Sequence, residues 1–300
     1  MKVDKLHIRS RFKNLENVTV DFDEDHLMTV VVGRNGSGKS NVLEALVAIF
    51  RNLDLGEAPP FSYKLVYRLG ERNKSDLPSE RWLEITIDAD PFRGTLAKQY
   101  DVQVKDLLID DSEHLSIGQS SAISVPFSKV KRDKEGKAPY LPNYVFAYYS
   151  GPSDRLENYF KKHRADFYRH LLNDKPDKKL DLKGDIRPLF YAKPFHSQFV
   201  LLAFFLSDKN SPQRKFIKEH LGIEDLDSVH FVMRQPGWAK QKGELFWGAR
   251  GVVRRFLDEL IKHTLAPIKV TRQEDTSLTG SNVRNEFFHL FLPVSYTHLT

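Results

Sequence analysis

The sequence predicts an α/β fold organised around a strand, a glycine-rich loop and a helix, in that order. Residues 27–32 are almost all apolar and β-branched, which is typical of a parallel strand buried on both faces. The helix is indicated by apolar residues at helical spacing, namely Val42, Leu43, Leu46, Val47, Ile49 and Phe50. Between strand and helix lies the segment Gly33-Arg34-Asn35-Gly36-Ser37-Gly38-Lys39-Ser40. It therefore has the flanks that a phosphate-binding loop requires.

The segment matches the pattern G-x-x-x-x-G-K-[ST], which arises by accident in about one chain in a hundred of this length. In such a loop the glycines tolerate positive φ, so that successive N–H groups converge on phosphates. We expect a side chain at Gly36 or Gly38 to block this approach. Lys39 is placed to reach the β- and γ-phosphates, and Ser40 to offer its hydroxyl to Mg²⁺. The sequence therefore predicts that the chain binds a nucleoside triphosphate at the positive end of a helix.

Composition narrows the class of protein further. The chain has 300 residues, 46 of them Lys or Arg and 40 Asp or Glu, so its net charge of +6 is compatible with a polyanionic partner without requiring one. It contains no cysteine, which excludes disulfides and thiolate metal sites and fits a reducing compartment. The start of the chain lacks the apolar core of a signal peptide, and the longest apolar run, residues 199–206, is too short to span a bilayer. We expect a cytoplasmic protein without membrane contact.

Residues 1–152 are predicted to form an N-terminal lobe with a β-rich antiparallel subdomain. Alternating residues at 5–9 and 17–23 indicate half-buried strands ahead of the loop, and residues 61–130 stay strand-like. Residues 129–137 are charged and polar, as in a surface loop. Residues 144–149 form a second continuous apolar run, which we expect to lie beside the strand that precedes the loop.

Residues 153–293 are predicted to form a mainly helical subdomain. Helical spacing is seen at residues 154–172, 195–206, 213–221 and 252–265, and residues 174–183 form a charged linker. Ser153 is a plausible cap of the first of these helices. The α/β first half is thus expected to give way to helices.

These features together resemble the ATP-binding-cassette class of P-loop ATPases. Within that class, the chain is similar to the RecF/SMC-like "AAA family ATPase" group of bacterial DNA-repair and anti-phage or restriction-associated systems. The resemblance is carried by residues 11–15 and 32–46, where Asn41 follows the loop serine directly and Leu43-Glu44-Ala45 comes next. Residues 148–156 and 188–192 are similar less specifically.

The resemblance implies a P-loop NTPase head that binds ATP and Mg²⁺ and hydrolyses ATP. It implies that residues Gly33 to Ser40, together with Asn41, hold the nucleotide, with catalytic roles for Lys39 and Ser40. It also implies a homodimer of heads that sandwiches two ATP molecules, with DNA and a nuclease or methylase as further partners. Phe12-Lys13-Asn14 would contact the base or ribose, and a plain β-turn at that point is an equal alternative. The glutamine that senses Mg²⁺ should follow Tyr149, where Ser150 and Gly151 stand instead, so Gln198 is the next candidate.

Three parts of the cassette family are not found in the sequence: a signature helix, a Walker B strand ending in Asp-Glu, and a switch histidine. Nothing after Pro293 supplies them, and residues 294–300 resemble a non-native tail. The fold is therefore expected to be truncated before Walker B. Because the general base would be the Walker B glutamate, we expect this chain to bind Mg-ATP and to hydrolyse little of it alone.

Other segments of the chain mimic functional motifs without the context that those motifs require. Residues 115–119 mimic the signature and residues 107–111 mimic Walker B, but in inverted order, so a surface turn between strands is favoured. Residues 73–76 match a guanine-reading tetrapeptide without its usual context, which favours a polar turn. The histidines show no metal-ligand spacing. A nucleotide-gated regulatory or scaffold subunit of a nuclease or methylase complex remains an alternative, and a small-molecule kinase is a weaker one.

Overall fold

The computed structural model describes most of the chain as two compact units. The first comprises Met1–Arg164 and Ile186–Tyr191, and the second comprises Ala165–Asp185 and Ala192–Thr300. The residues described are 1–22, 28–70, 81–109, 115–117, 121–133, 136–151, 153–171, 187–237, 239, 245–275 and 282–293. The proposed tail at residues 294–300 and the linker at residues 174–183 lie outside them.

A seven-stranded antiparallel sheet dominates the first unit. Its strands are β1 (Lys2–Ile8), β2 (Val18–Asp21), β3 (Tyr63–Gly70), β4 (Arg81–Ala89), β5 (Tyr100–Ile109), β6 (Leu115–Ile117) and β7 (Ile123–Ser124). The order is β2-β1-β3-β4-β5-β6, and β7 also pairs with β5. The long neighbours pair over most of their length, as in β4 and β5, which pair from Arg81↔Leu108 to Ala89↔Tyr100. The structure confirms the half-buried strands predicted at residues 5–9 and 17–23 and the β-rich stretch after the loop.

Helix α1 (Lys39–Leu55) packs on one face of this sheet. Its apolar positions recur every three or four residues, so Ala45, Ile49 and Leu53 lie fully buried in the core. Phe50 meets Tyr67 of β3 edge to face, with ring centroids 5.4 Å apart. The helix ends at Gly56 in the left-handed conformation, whose N–H is directed at Leu53 O. The short helix α2 (Phe127–Val130) joins the same core.

A smaller layer covers another side of α1. Strands β8 (Val145–Tyr148) and β9 (Leu189–Ala192) form a two-stranded sheet. Between β8 and β9, the chain forms a 3₁₀ turn (Glu157–Phe160) and helix α3 (Lys161–Leu171). Val47 of α1, Phe160 and Leu189 form the buried centre of this layer. Helix α1 is therefore held from two directions, which fixes the loop at its N-terminus.

The prediction of a buried parallel strand before the loop is wrong. Residues 28–34 have no regular secondary structure, and Met28, Val30 and Val32 are 77%, 69% and 84% exposed. Strand β8 pairs with β9 instead of lying beside this segment. The physical reason is that a strand needs neighbours for its N–H and C=O groups, and among the described residues none pairs with residues 28–32. An apolar run reports a tendency to be buried but not the presence of a partner.

The second unit is mixed, so the prediction of a mainly helical second half is wrong in part. It contains α4 (His196–Phe205), α5 (Pro212–Leu221) and α6 (Gly251–Lys262), as the spacing predicts. It also contains a three-stranded antiparallel sheet, β10-β12-β11, made of Ser228–Arg234, Asn282–Pro293 and Ile268–Asp275. Trp247 and Phe288 lie in its core with ring centroids 4.9 Å apart. Among the described residues, no helix is both long and apolar enough to cross a membrane.

Candidate functional site

The predicted phosphate loop is a glycine-hinged turn that leads directly into α1. Gly36 and Gly38 have φ of 84° and 93°, the left-handed region that glycine occupies without cost. The Ser37 N–H donates to Arg34 O at 3.2 Å and closes the turn. Gly38 is the N-cap of α1, no side chain caps the helix, and its first turn carries no acidic residue. The N-terminal N–H groups of the helix are thus left for an anion.

The two glycines have different structural roles. A Cβ built on Gly38 would lie 2.7 Å from Leu15 Cδ2, whereas one on Gly36 would meet nothing within 4 Å. A Cβ on Gly33 would lie 3.0 Å from Ser37 Oγ. At Gly38, both the positive φ and the close approach to Leu15 disfavour a side chain, whereas at Gly36 only the positive φ does. Whether a side chain at either position blocks the approach of the loop to phosphates stays a prediction.

Lys39 folds back into the loop. Its ammonium donates to Gly33 O at 2.6 Å and to Arg34 O at 2.7 Å. The loop residues 33–37 and Ser40 are exposed to solvent. The Lys39 ammonium, the uncapped N–H groups at the start of α1 and the accessible Ser40 hydroxyl therefore belong to one short segment of the chain. This is the donor set that suits a polyphosphate and its metal ion.

A two-residue hairpin turn braces the loop from the side. Phe12 and Leu15 exchange backbone hydrogen bonds of 2.8 and 2.9 Å, with Lys13 and Asn14 at the tip. Asn14 Nδ2 donates to Gly36 O at 3.1 Å, and Asn41 Nδ2 donates to Asn14 Oδ1 at 2.5 Å. The β-turn alternative for residues 12–14 is thus confirmed, and the turn also contacts the loop. Contact of these residues with a base or ribose stays a prediction.

Glu44 is the residue near the loop that sequence reasoning missed. It lies one helical turn after Ser40 and is only 2% exposed. Its carboxylate forms an ion pair with the Lys13 ammonium, and Oε2 lies 3.4 Å from Arg155 Nε. Burial first, and the Glu44 carboxylate second, raise the pKa of Tyr159 to about 12. The signal was a single acid inside an apolar helical run, which calls for a buried partner.

Other predicted residues lie elsewhere or outside the described part. Gln198 is an exposed residue of α4 in the second unit, so the structure does not bring it into the unit that holds the loop. Its role in binding Mg²⁺ stays a prediction. Residues 107–109 belong to β5 and residues 115–117 to β6, so the described part of the signature look-alike is a strand and neither helix nor turn. Residues 73–76, 110–111 and 118–119 are outside the described residues.

Comparison with known proteins gives one result. A family model described as "AAA ATPase domain" matches residues 1–210, which include the loop, its helix and the bracing hairpin. No curated protein and no solved structure matches the chain.

Proposed function

The chain belongs to the AAA ATPase domain family, and from this premise we propose that it is the ATP-binding and ATP-hydrolysing head of a RecF/SMC-like ATPase. The observation that carries the proposal is the exposed glycine-hinged loop, in which the Lys39 ammonium lies on the loop backbone and the N-terminus of α1 has no side-chain cap, so that both can serve an anion. Family membership supports ATPase chemistry in general. The narrower group rests on the resemblance of residues 32–46, with Asn41 directly after the loop serine.

Each residue of the loop would contact a different part of Mg-ATP. The Lys39 ammonium would exchange the carbonyls of Gly33 and Arg34 for the β- and γ-phosphates, gaining a charge-assisted contact. The N–H groups of Gly36 to Ser40 would cradle the phosphates, and the Ser40 hydroxyl would hold Mg²⁺. When bound, Mg²⁺ supplies neutralisation of the charge that develops on the transferred phosphoryl group. Catalysis by this chain's own residues is therefore positioning and charge complementarity.

The partners follow from the same proposal. Two heads would face each other across two nucleotides, and the assembly would act on DNA in repair or in a restriction-associated defence system. The mild basic excess of +6 is compatible with DNA. Because Lys39 and Ser40 supply no general base, we expect slow hydrolysis by the 300-residue chain. A regulatory or scaffold subunit would share the loop and lack turnover even when assembled.

The experiment is phosphate release from Mg-ATP by the wild-type chain, by Lys39→Ala and by Lys129→Ala, each with and without double-stranded DNA. Lys129 is an exposed lysine of α2 in the same unit and makes the matched control. We expect slow release by wild type and Lys129→Ala and none above background by Lys39→Ala. Equal release by all three proteins would refute the proposal, and binding without any release would favour the scaffold alternative.

A further inference from the structure

We propose that Glu44 is a positioning residue that sets nucleotide affinity by anchoring the Phe12–Leu15 hairpin against the phosphate loop. The inference rests on the proposed function, since it concerns ATP binding at the Gly33–Ser40 loop. Glu44 itself is unsuited to be a phosphate ligand, because its carboxylate would repel the anion. It acts through the hairpin.

Glu44 is a charge that the fold holds at a buried position. It is 2% exposed, and a carboxylate buried without partners is strongly disfavoured. Its partners come from two separate segments, with Lys13 in the hairpin on one side and Arg155 and Tyr159 on the other. The carboxylate therefore ties α1, the hairpin and the segment after β8 together at one point.

The hairpin carries this tie to the loop through two neighbouring residues. Asn14 donates to the carbonyl of Gly36, and the Leu15 side chain fills the space next to Gly38 where a Cβ would stand. Lys13, which pairs with Glu44, directly precedes them in the chain. The contacts thus run from Glu44 to Lys13, and from the hairpin tip to both left-handed glycines of the loop.

The backbone of Lys13 is constrained at the tip of the hairpin. Its φ is 56°, a left-handed conformation that residues with a side chain rarely adopt. Such conformations persist where surrounding contacts determine them, and they concentrate at binding sites. A two-residue hairpin loop requires a positive φ at its first residue, which is Lys13. The ion pair with Glu44 is an added contact at this residue, next to the Asn14 that donates to Gly36.

The test measures Mg-ATP affinity by isothermal titration calorimetry, alongside the unfolding temperature without nucleotide. We expect Glu44→Gln to weaken binding about tenfold, equivalent to about 1.4 kcal/mol. The matched control is Asp54→Asn, which alters a buried carboxylate on the same helix that pairs with Arg132 at 2.6 Å and lies 2.8 Å from His163. Asp54 lies about 15 Å further along α1, so Asp54→Asn should lower the unfolding temperature and leave affinity unchanged.

Two further variants separate positioning from a general loss of structure. Lys13→Met removes the hairpin's side of the pair at a partly exposed residue, and it should weaken binding as Glu44→Gln does even if Glu44→Gln folds poorly. Asn14→Ala combined with Glu44→Gln should lose no more affinity than the worse single variant, because both act through one hairpin. Additive losses, or unchanged affinity in Glu44→Gln and Lys13→Met, would overturn the inference. In either case the loss of binding in Lys39→Ala would still stand for the proposed function, whereas a wild-type chain that binds no Mg-ATP would end both.

Discussion

Replacing Gly38 by alanine should damage the first unit more than the same change at Gly36, although both glycines belong to one loop. Each has a positive φ, and a left-handed residue that carries a Cβ costs about 1–2 kcal/mol. At Gly38 the new Cβ would also lie 2.7 Å from Leu15 Cδ2, and overpacking of this kind costs about 1–3 kcal/mol more. We therefore expect a loss of about 2–5 kcal/mol for Gly38→Ala and about 1–2 kcal/mol for Gly36→Ala.

The assay is amide hydrogen exchange of α1 followed by mass spectrometry, because exchange reports the free energy of opening of this helix in a chain with two units. The variant Gly38→Ala with Leu15→Ala should show a favourable coupling, since the smaller side chain removes the contact. Equal opening free energies in Gly36→Ala and Gly38→Ala would refute the reasoning, because the positive φ alone would then account for both.

Three other predictions test the rest of the account. Burial alone would raise the pKa of Asp88, but hydrogen bonds from Arg9 and Arg93 outweigh it and hold the pKa below its usual value. The stability that Asp88 contributes should therefore be complete above about pH 4 and be lost as the pH falls through the lowered pKa. The variant Asp88→Asn should flatten the acid side of a stability–pH curve. Val30→Asp should change the unfolding temperature little, with a free-energy change within about 0.5 kcal/mol, because Val30 is 69% exposed. A large loss of stability would instead support the prediction of a buried strand before the loop. Phe288→Ala should destabilise the second unit by about 3–5 kcal/mol in urea unfolding, since Phe288 is buried against Phe246 and Trp247, and a negligible change would contradict that core.

The elements that could be predicted from the sequence are those whose residue pattern follows from local backbone geometry. Alternation along residues 61–130 fixes which side chains face the core, and it gave β3, β4 and β5. The loop was predictable because its glycines and lysine serve backbone geometry and charge that no other residue types supply. The helices of the second unit followed from spacing in the same way.

The features that the sequence did not predict depend on partners distant in the chain. Residues 28–32 have the composition of a buried strand, but pairing depends on neighbours that an apolar run does not specify. Lys13 and Glu44 are 31 residues apart, and no periodicity links them. Strand β12, with Phe287, Phe288 and Leu290 buried, was hidden inside a half that spacing marked as helical. The hairpin brace and the β10-β12-β11 sheet were therefore visible only in the folded chain.

The central claim is that the Gly33–Ser40 loop binds a nucleotide, and a thermal-shift titration with Mg-ATP tests it most directly. A ligand that binds only the folded chain stabilises it by RT ln(1 + [L]/Kd), about 2.7 kcal/mol at a hundredfold excess over Kd. We predict this stabilisation for wild type and Lys129→Ala, none for Lys39→Ala, and no larger effect with Mg-GTP. An equal shift in wild type and Lys39→Ala would contradict the assignment of the site, and a shift with Mg-GTP alone would contradict the assignment of ATP as its ligand.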